Sequence, residues 1–142
     1  MNRNYIIFCL FFMFNTMYAQ SVLGKWKTID DKTGEEKSIV LVYEENGLIH
    51  GKVIEIFDPQ KRKRVCENCS GSLKNKPVLG MVFMKNLKKD GNEYNKGVVI
   101  DPESGKEYSC YISLENNETL KVRGYMGISL MGRTQYWKRY KP

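Results

Sequence analysis

Apolar and polar side chains alternate along most of this chain with a period of two. In Ser38-Ile39-Val40-Leu41-Val42-Tyr43-Glu44-Glu45, Ile39, Leu41 and Tyr43 fall on one side and Val40 and Val42 on the other. That is the pattern of a strand, not of a helix. Asn46-Gly47 then marks a tight turn, and GLIHGKVIEIFD resumes as the return strand of a hairpin. GKWKTID precedes this pair, and GMVFMKNL, EYNKGVVID, EYSCYISLE, TLKVRGYM and RTQYWKRY follow it. Between them stand Lys89-Asp90-Gly91-Asn92, Asp101-Pro102-Glu103-Ser104-Gly105 and Glu115-Asn116-Asn117-Glu118. Such residues favour turns because they tolerate positive φ or bond their own backbone. About eight strands at near-regular spacing, with no sustained helical period, predict an all-β domain, either a sandwich or a small antiparallel up-and-down barrel.

One long irregular stretch, Pro59 to Leu79, interrupts the rhythm and holds Lys61-Arg62-Lys63-Arg64, Cys66, Cys69 and Pro77. A connection of that length in a small domain is usually functional or pinned by cross-links. Charge makes it more distinctive. The chain carries a net +7, yet nine Lys or Arg against the single acid Glu67 lie between Lys61 and Lys89. The excess therefore belongs to one segment. It serves either solubility or an anionic partner, a lipid headgroup or an acidic glycan, with Lys61, Arg62, Lys63 and Arg64 as the candidate patch.

The N-terminus changes the picture again. Arg3 precedes an unbroken apolar run from Tyr5 to Phe14, and Ala19 supplies a small residue for cleavage. This is the plan of a secretory signal peptide over residues 1–19, and the run is too short to span a bilayer as a helix. A retained anchor is the competing reading. Residues 20–142 then form a single domain in the periplasm or outside the cell, where disulfides persist. Export makes nucleic acid a poor partner, and no later segment is apolar enough to make this an integral membrane protein.

The chemistry-bearing residues form no catalytic constellation. His50 is the single histidine and sits on a strand. It meets Cys110 only if their strands align. The paired acids Asp30-Asp31, Glu35-Glu36 and Glu44-Glu45 flank expected turns, without a shared pocket to set an acid and a base apart. Cys66 and Cys69 admit several readings. With Cys110 and His50 they add up to a zinc ligand set on paper. A redox pair normally lies at a helix N-terminus, and this one lies in a loop. A structural disulfide fits export best, worth about 2 kcal/mol for so short a loop. Cys66 bridged to Cys69, with Cys110 a buried free thiol, is the expectation; a bridge from Cys110 to one of the pair stays open. No cofactor is implied.

The chain ends carry a further clue. The two tryptophans are Trp26 in the first strand and Trp137 in the last. In a closed antiparallel barrel those strands are neighbours. A guanidinium from the last strand, Arg139 (or Arg133 in another register), stacked on Trp26 would seal one end and contribute about 0.5–2 kcal/mol.

Together the stretches GKWKTIDDKTGEEKS, CENCSGSLKNKPVLGM, GVVIDPESGKEYSC and LKVRGYMGISLMGRTQYWKR resemble the exported bacterial family known as domain of unknown function 2147. The resemblance runs from Leu23 to about Arg139. Its most specific parts are Asp101-Pro102 with Gly105-Lys106-x-Tyr108, and Val122-Arg123-Gly124-Tyr125 followed by Gly132-Arg133-Thr134-Gln135. The cysteine pair resembles the loop of one branch of the family. The resemblance implies a lipocalin-like, calycin-type β-barrel and export, and it supplies no catalytic residue. The expected protein is a non-catalytic lipocalin-like barrel that binds a small apolar or amphipathic molecule. The alternative is a cell-envelope interaction module that uses the basic Lys61–Lys89 segment.

Overall fold

The computed structural model describes residues 20–128 and 130–142; the leader expected over residues 1–19 lies outside them. Among the described residues are eight strands: β1 (Gly24–Ile29), β2 (Glu36–Glu45), β3 (Leu48–Ile56), β4 (Val82–Asp90), β5 (Glu93–Ile100), β6 (Glu107–Asn116), β7 (Thr119–Tyr125) and β8 (Gly132–Arg139). Each pairs antiparallel with the next. β8 returns to β1, with Trp26 opposite Arg139 and Lys27 opposite Lys138, so the sheet closes into a barrel. The alternation in β2 places Val40 and Val42 in the core, whereas Leu41 and Tyr43 are half-exposed. The outer wall is polar. Lys27 pairs with Glu36 at 2.7 Å, and Lys52 and Lys121 lie over the rings of Tyr43 and Tyr111.

The two ends of the barrel are built differently. One end has two-residue turns between β2 and β3, β4 and β5, and β6 and β7. Asn46 and Gly47 take φ of 54° and 78°, the left-handed pair that a tight hairpin requires. The chain enters and leaves the barrel at this end. The other end carries the longer connections: residues 30–35, 57–81, 101–106 and 126–131.

Two of these longer connections are the same turn written twice. In Asp30-Asp31-Lys32-Thr33-Gly34-Glu35, the Asp30 carbonyl accepts from Gly34 N at 2.8 Å and Asp30 N donates to Glu35 O. In Asp101-Pro102-Glu103-Ser104-Gly105-Lys106, the equivalent bonds join Gly105 N to Asp101 O at 2.7 Å and Asp101 N to Lys106 O. Each aspartate side chain also accepts a backbone N–H two residues on, from Lys32 and Glu103, the local bonding that makes Asp a turn residue.

The long connection is ordered by its own bonds. Asp58 accepts from Gln60 N and starts a short 3₁₀ turn, Pro59–Lys61, and a second such turn spans Gly71–Leu73. Val65 pairs with Pro77 across a small hairpin, with Cys66 N donating to Lys76 O at 2.8 Å and Asn75 N to Cys66 O at 2.9 Å. Cys66 and Cys69 are disulfide-bonded, with Cα atoms 5.3 Å apart, and both are buried. This hairpin docks on the second Asp turn, where Asn68 Nδ2 donates to Glu103 O at 2.9 Å. Gly105 is required there twice over. Its φ is +72°, and a Cβ would lie 1.8 Å from the Asn68 carbonyl oxygen.

The core sits mainly in the half of the barrel nearest the short turns. Trp26, Val42, Met84, Leu87, Cys110, Ile112 and Leu120 are all fully buried there.

Candidate ligand-binding cavity

Toward the longer loops the interior is not filled. A cavity of about 890 Å³ opens at that end. Its walls come from Val40 on β2, Val53 on β3, Phe83 on β4, Val99 on β5, Val122 on β7 and Trp137 on β8. Alternation along each strand aims these side chains inward. Phe83 and Trp137 meet with ring centroids 6.1 Å apart. Small residues account for the space: valines and Gly124 stand where larger groups would meet. Polar side chains also line it, among them Thr28, Ser38, Tyr108 and Gln135, and Gln135 Oε1 accepts from Trp137 Nε1 at 3.0 Å. An apolar chamber with a few polar groups is the usual make-up of a small-molecule site.

The rim is charged and largely paired. Lys37 Nζ lies 2.8 Å from Asp30 Oδ2. That contact, together with the Thr33 and Lys32 backbone N–H groups, holds the Asp30 carboxyl well below the ordinary range. Arg133 bonds Asp31 across the mouth, lowering the carboxyl and raising the guanidinium. Arg64 and Glu103 form a third pair at 3.2 Å. Charge thus surrounds an apolar throat.

The structure places the sequence-derived candidates in distinct regions. Lys61 and Arg64 border the cavity. Arg62 folds back, its Nε donating to Ile56 O at 2.9 Å, and Lys63 is exposed. The basic run therefore does not present four equivalent charges to one side. Trp26 and Arg139 meet at the opposite end, with the guanidinium 4.2 Å from the ring centroid. Trp26 Nε1 donates to Val22 O at 2.9 Å, while Arg139 donates to the carbonyls of Asn117, Leu23 and Ser21. That set ties β8, the β6–β7 turn and the incoming chain together, and it does not touch the cavity. Arg133 instead belongs to the open rim.

His50 and Cys110 are not brought together. His50 is half-exposed, stacks on Tyr43 at 5.5 Å and accepts from Asn86 N, whereas Cys110 is fully buried as a free thiol. Burial pushes the Cys110 pKa up to about 12. Cys66 and Cys69 are bonded to each other, so neither can serve as a thiolate ligand. Among the described residues no cluster of three or more His, Cys, Asp or Glu is placed to hold a metal ion.

Sequence reasoning missed the β7–β8 connection. Met126, Ile128, Leu130 and Met131 are exposed there, and Met126, Leu130 and Met131 border the cavity. The signal was present: a run of large apolar residues between two strands, where a turn is ordinarily polar.

Comparison with known proteins agrees with this architecture. Residues 24–139 match the profile of the family described as "Uncharacterized protein conserved in bacteria (DUF2147)". No protein of curated function matches the chain. A solved structure, entitled "Protein HP1028 from the human pathogen Helicobacter pylori belongs to the lipocalin family", superposes with a TM-score of 0.75 at 23% identity, over 85% of this chain and 84% of that one. At that identity the likeness carries the barrel fold alone.

Proposed function

This chain belongs to the bacterial family of domain of unknown function 2147, and we propose that its barrel binds one small apolar or amphipathic molecule without transforming it. The single observation behind this reading is the half-empty interior, about 890 Å³ between Val40, Val53, Phe83, Val99, Val122 and Trp137. An eight-stranded barrel is just wide enough either to fill with side chains or to hold one small ligand. An apolar body fits between the valines and the two aromatic rings, with its polar end at the charged rim. The buried Cys66–Cys69 bridge supports a place outside the cytoplasm, as the leader-like residues 1–19 imply.

The test uses 8-anilinonaphthalene-1-sulfonate (ANS). ANS bound inside lies within energy-transfer range of Trp137, which lines the cavity. One-to-one binding is expected, clearly weakened in Val122→Trp, which adds bulk to the chamber wall. Undiminished binding to a folded Val122→Trp protein would overturn the cavity reading.

A further inference from the structure

Seven large hydrophobic side chains are exposed among the described residues: Leu23, Leu79, Met126, Ile128, Leu130, Met131 and Tyr136. Scattered singly, such residues need no explanation. Here they are not scattered. Four of them belong to the β7–β8 connection, where Ile128 is 60% and Leu130 85% exposed, and Leu79 ends the long loop at the same end of the barrel. Hairpin tips elsewhere on the molecule are Asn-Gly, Gly-Asn and Asn-Glu. No backbone requirement calls for Met, Ile and Leu at this one tip, and leaving them in water is unfavourable.

The same end holds the basic loop. Between Asp58 and Leu79 there are six Lys or Arg against two acids. Several acids of the rim are ion-paired, and Glu35 and Asp101 also line the mouth. Asp30 pairs with Lys37, Asp31 with Arg133 and Glu103 with Arg64, and Asp58 caps a turn. Lys61 and Lys63 are exposed, and among the described residues neither forms an ion pair. An apolar projection on one side of the mouth and exposed lysines on the other, at the same end of the barrel, are the pair of signals by which a peripheral protein holds an anionic bilayer: side chains entering the acyl boundary, cations over the headgroups.

We propose that the open end of the barrel seats on an anionic lipid surface, with Met126, Ile128, Leu130 and Met131 entering the interface and Lys61 and Lys63 over the headgroups. Seating directs the cavity mouth at the bilayer. It stands whether or not the chamber binds a ligand: Met126, Leu130, Met131 and Lys61 border the mouth, whereas Ile128 and Lys63 do not line the cavity.

Co-flotation with phosphatidylglycerol-containing vesicles tests it, with phosphatidylcholine vesicles as the neutral reference. Ile128→Asp and Lys63→Gln are the variants, because neither residue lines the cavity; retained ANS binding then shows that the chamber is intact. Binding is expected to anionic vesicles, weakened on the order of tenfold by Ile128→Asp and severalfold by Lys63→Gln, the latter loss merging with the effect of high salt. A polarity-sensitive fluorophore on Ile128→Cys should shift to the blue on anionic vesicles. Absence of flotation, flotation indifferent to Ile128→Asp, or binding to alginate in place of vesicles would each overturn the proposal. The last result would assign the rim to an acidic glycan.

Discussion

The two halves of this barrel are made from the same strands and behave as different materials. Near the short turns, Trp26, Val42, Met84, Leu87, Ile112 and Leu120 close-pack with almost no exposure. Toward the long loops, inward side chains such as Val40, Val53, Val122 and Trp137 are buried in the same core yet also line the open chamber. Backbone geometry does not separate them, because strand pairing runs the length of both. Side-chain volume does. The filled half supplies the burial that holds the fold, which frees the other half from having to pack. An open chamber in a small domain is tolerable for this reason: the hydrophobic stabilisation is concentrated at one end and capped there by Arg139.

The sharpest way to break that division is at Trp26. Trp26→Ala is expected to cost about 3–5 kcal/mol, measured as a shift in urea midpoint, through lost apolar burial and an uncollapsed void. Arg139→Ala should cost about 1–2 kcal/mol, from the stacked guanidinium and its packed stem. Contacting residues couple, so the double variant should cost less than the two single losses added together. Additive losses would mean that the cap and the packed half are independent, and that Arg139 acts only on the chain ends it bonds.

The strands were legible because two signals coincide in them. Alternation fixes inward faces such as Val40 and Val42, and turn residues punctuate most of the gaps. The Trp26–Arg139 contact was legible too, since closure of an up-and-down barrel forces the first and last strands together. The cavity was not. Whether inward positions meet or leave a gap depends on the summed volumes of side chains far apart in sequence, such as Val53, Val99 and Gly124, and no local pattern records that sum. The cysteines were half legible. Spacing allowed a Cys66–Cys69 bridge without excluding Cys110, and what settles the matter is the folded loop, which brings the Cys66 and Cys69 Cα atoms to 5.3 Å and leaves Cys110 a free thiol. The apolar β7–β8 tip was written openly in the sequence. It escaped notice because reading for strands passes over what lies between them.

A matched substitution sharpens the comparison. Val42 lies in the packed half and Val53 on the cavity wall. Val42→Phe adds bulk where there is no room and should destabilise by about 1–3 kcal/mol. Val53→Phe directs the same bulk into space and should leave stability within about 0.5 kcal/mol, while weakening ANS binding. Equal destabilisation at the two sites would show that the chamber collapses in solution and that the halves are not distinct.

The smallest expected effect lies with the thiol of the packed half. Cys110 is fully buried among apolar neighbours, and desolvation of the thiolate pushes its pKa from an ordinary 9.0 to about 12. Folding therefore favours the protonated thiol. Its contribution is fully present below pH 9.0, is lost as the unfolded thiol ionises, and levels off only when the folded thiol ionises near 12. At pH 10 the loss should be on the order of 1 kcal/mol. Tyrosines and lysines titrate over the same range, so the observable is a difference. Cys110→Ala should lower stability at pH 7 by removing packed volume, yet its stability should fall less steeply than that of the natural protein between pH 8 and pH 10. Parallel curves would mean that water or a counter-charge reaches the thiolate, so that the half of the barrel described as filled is open as well.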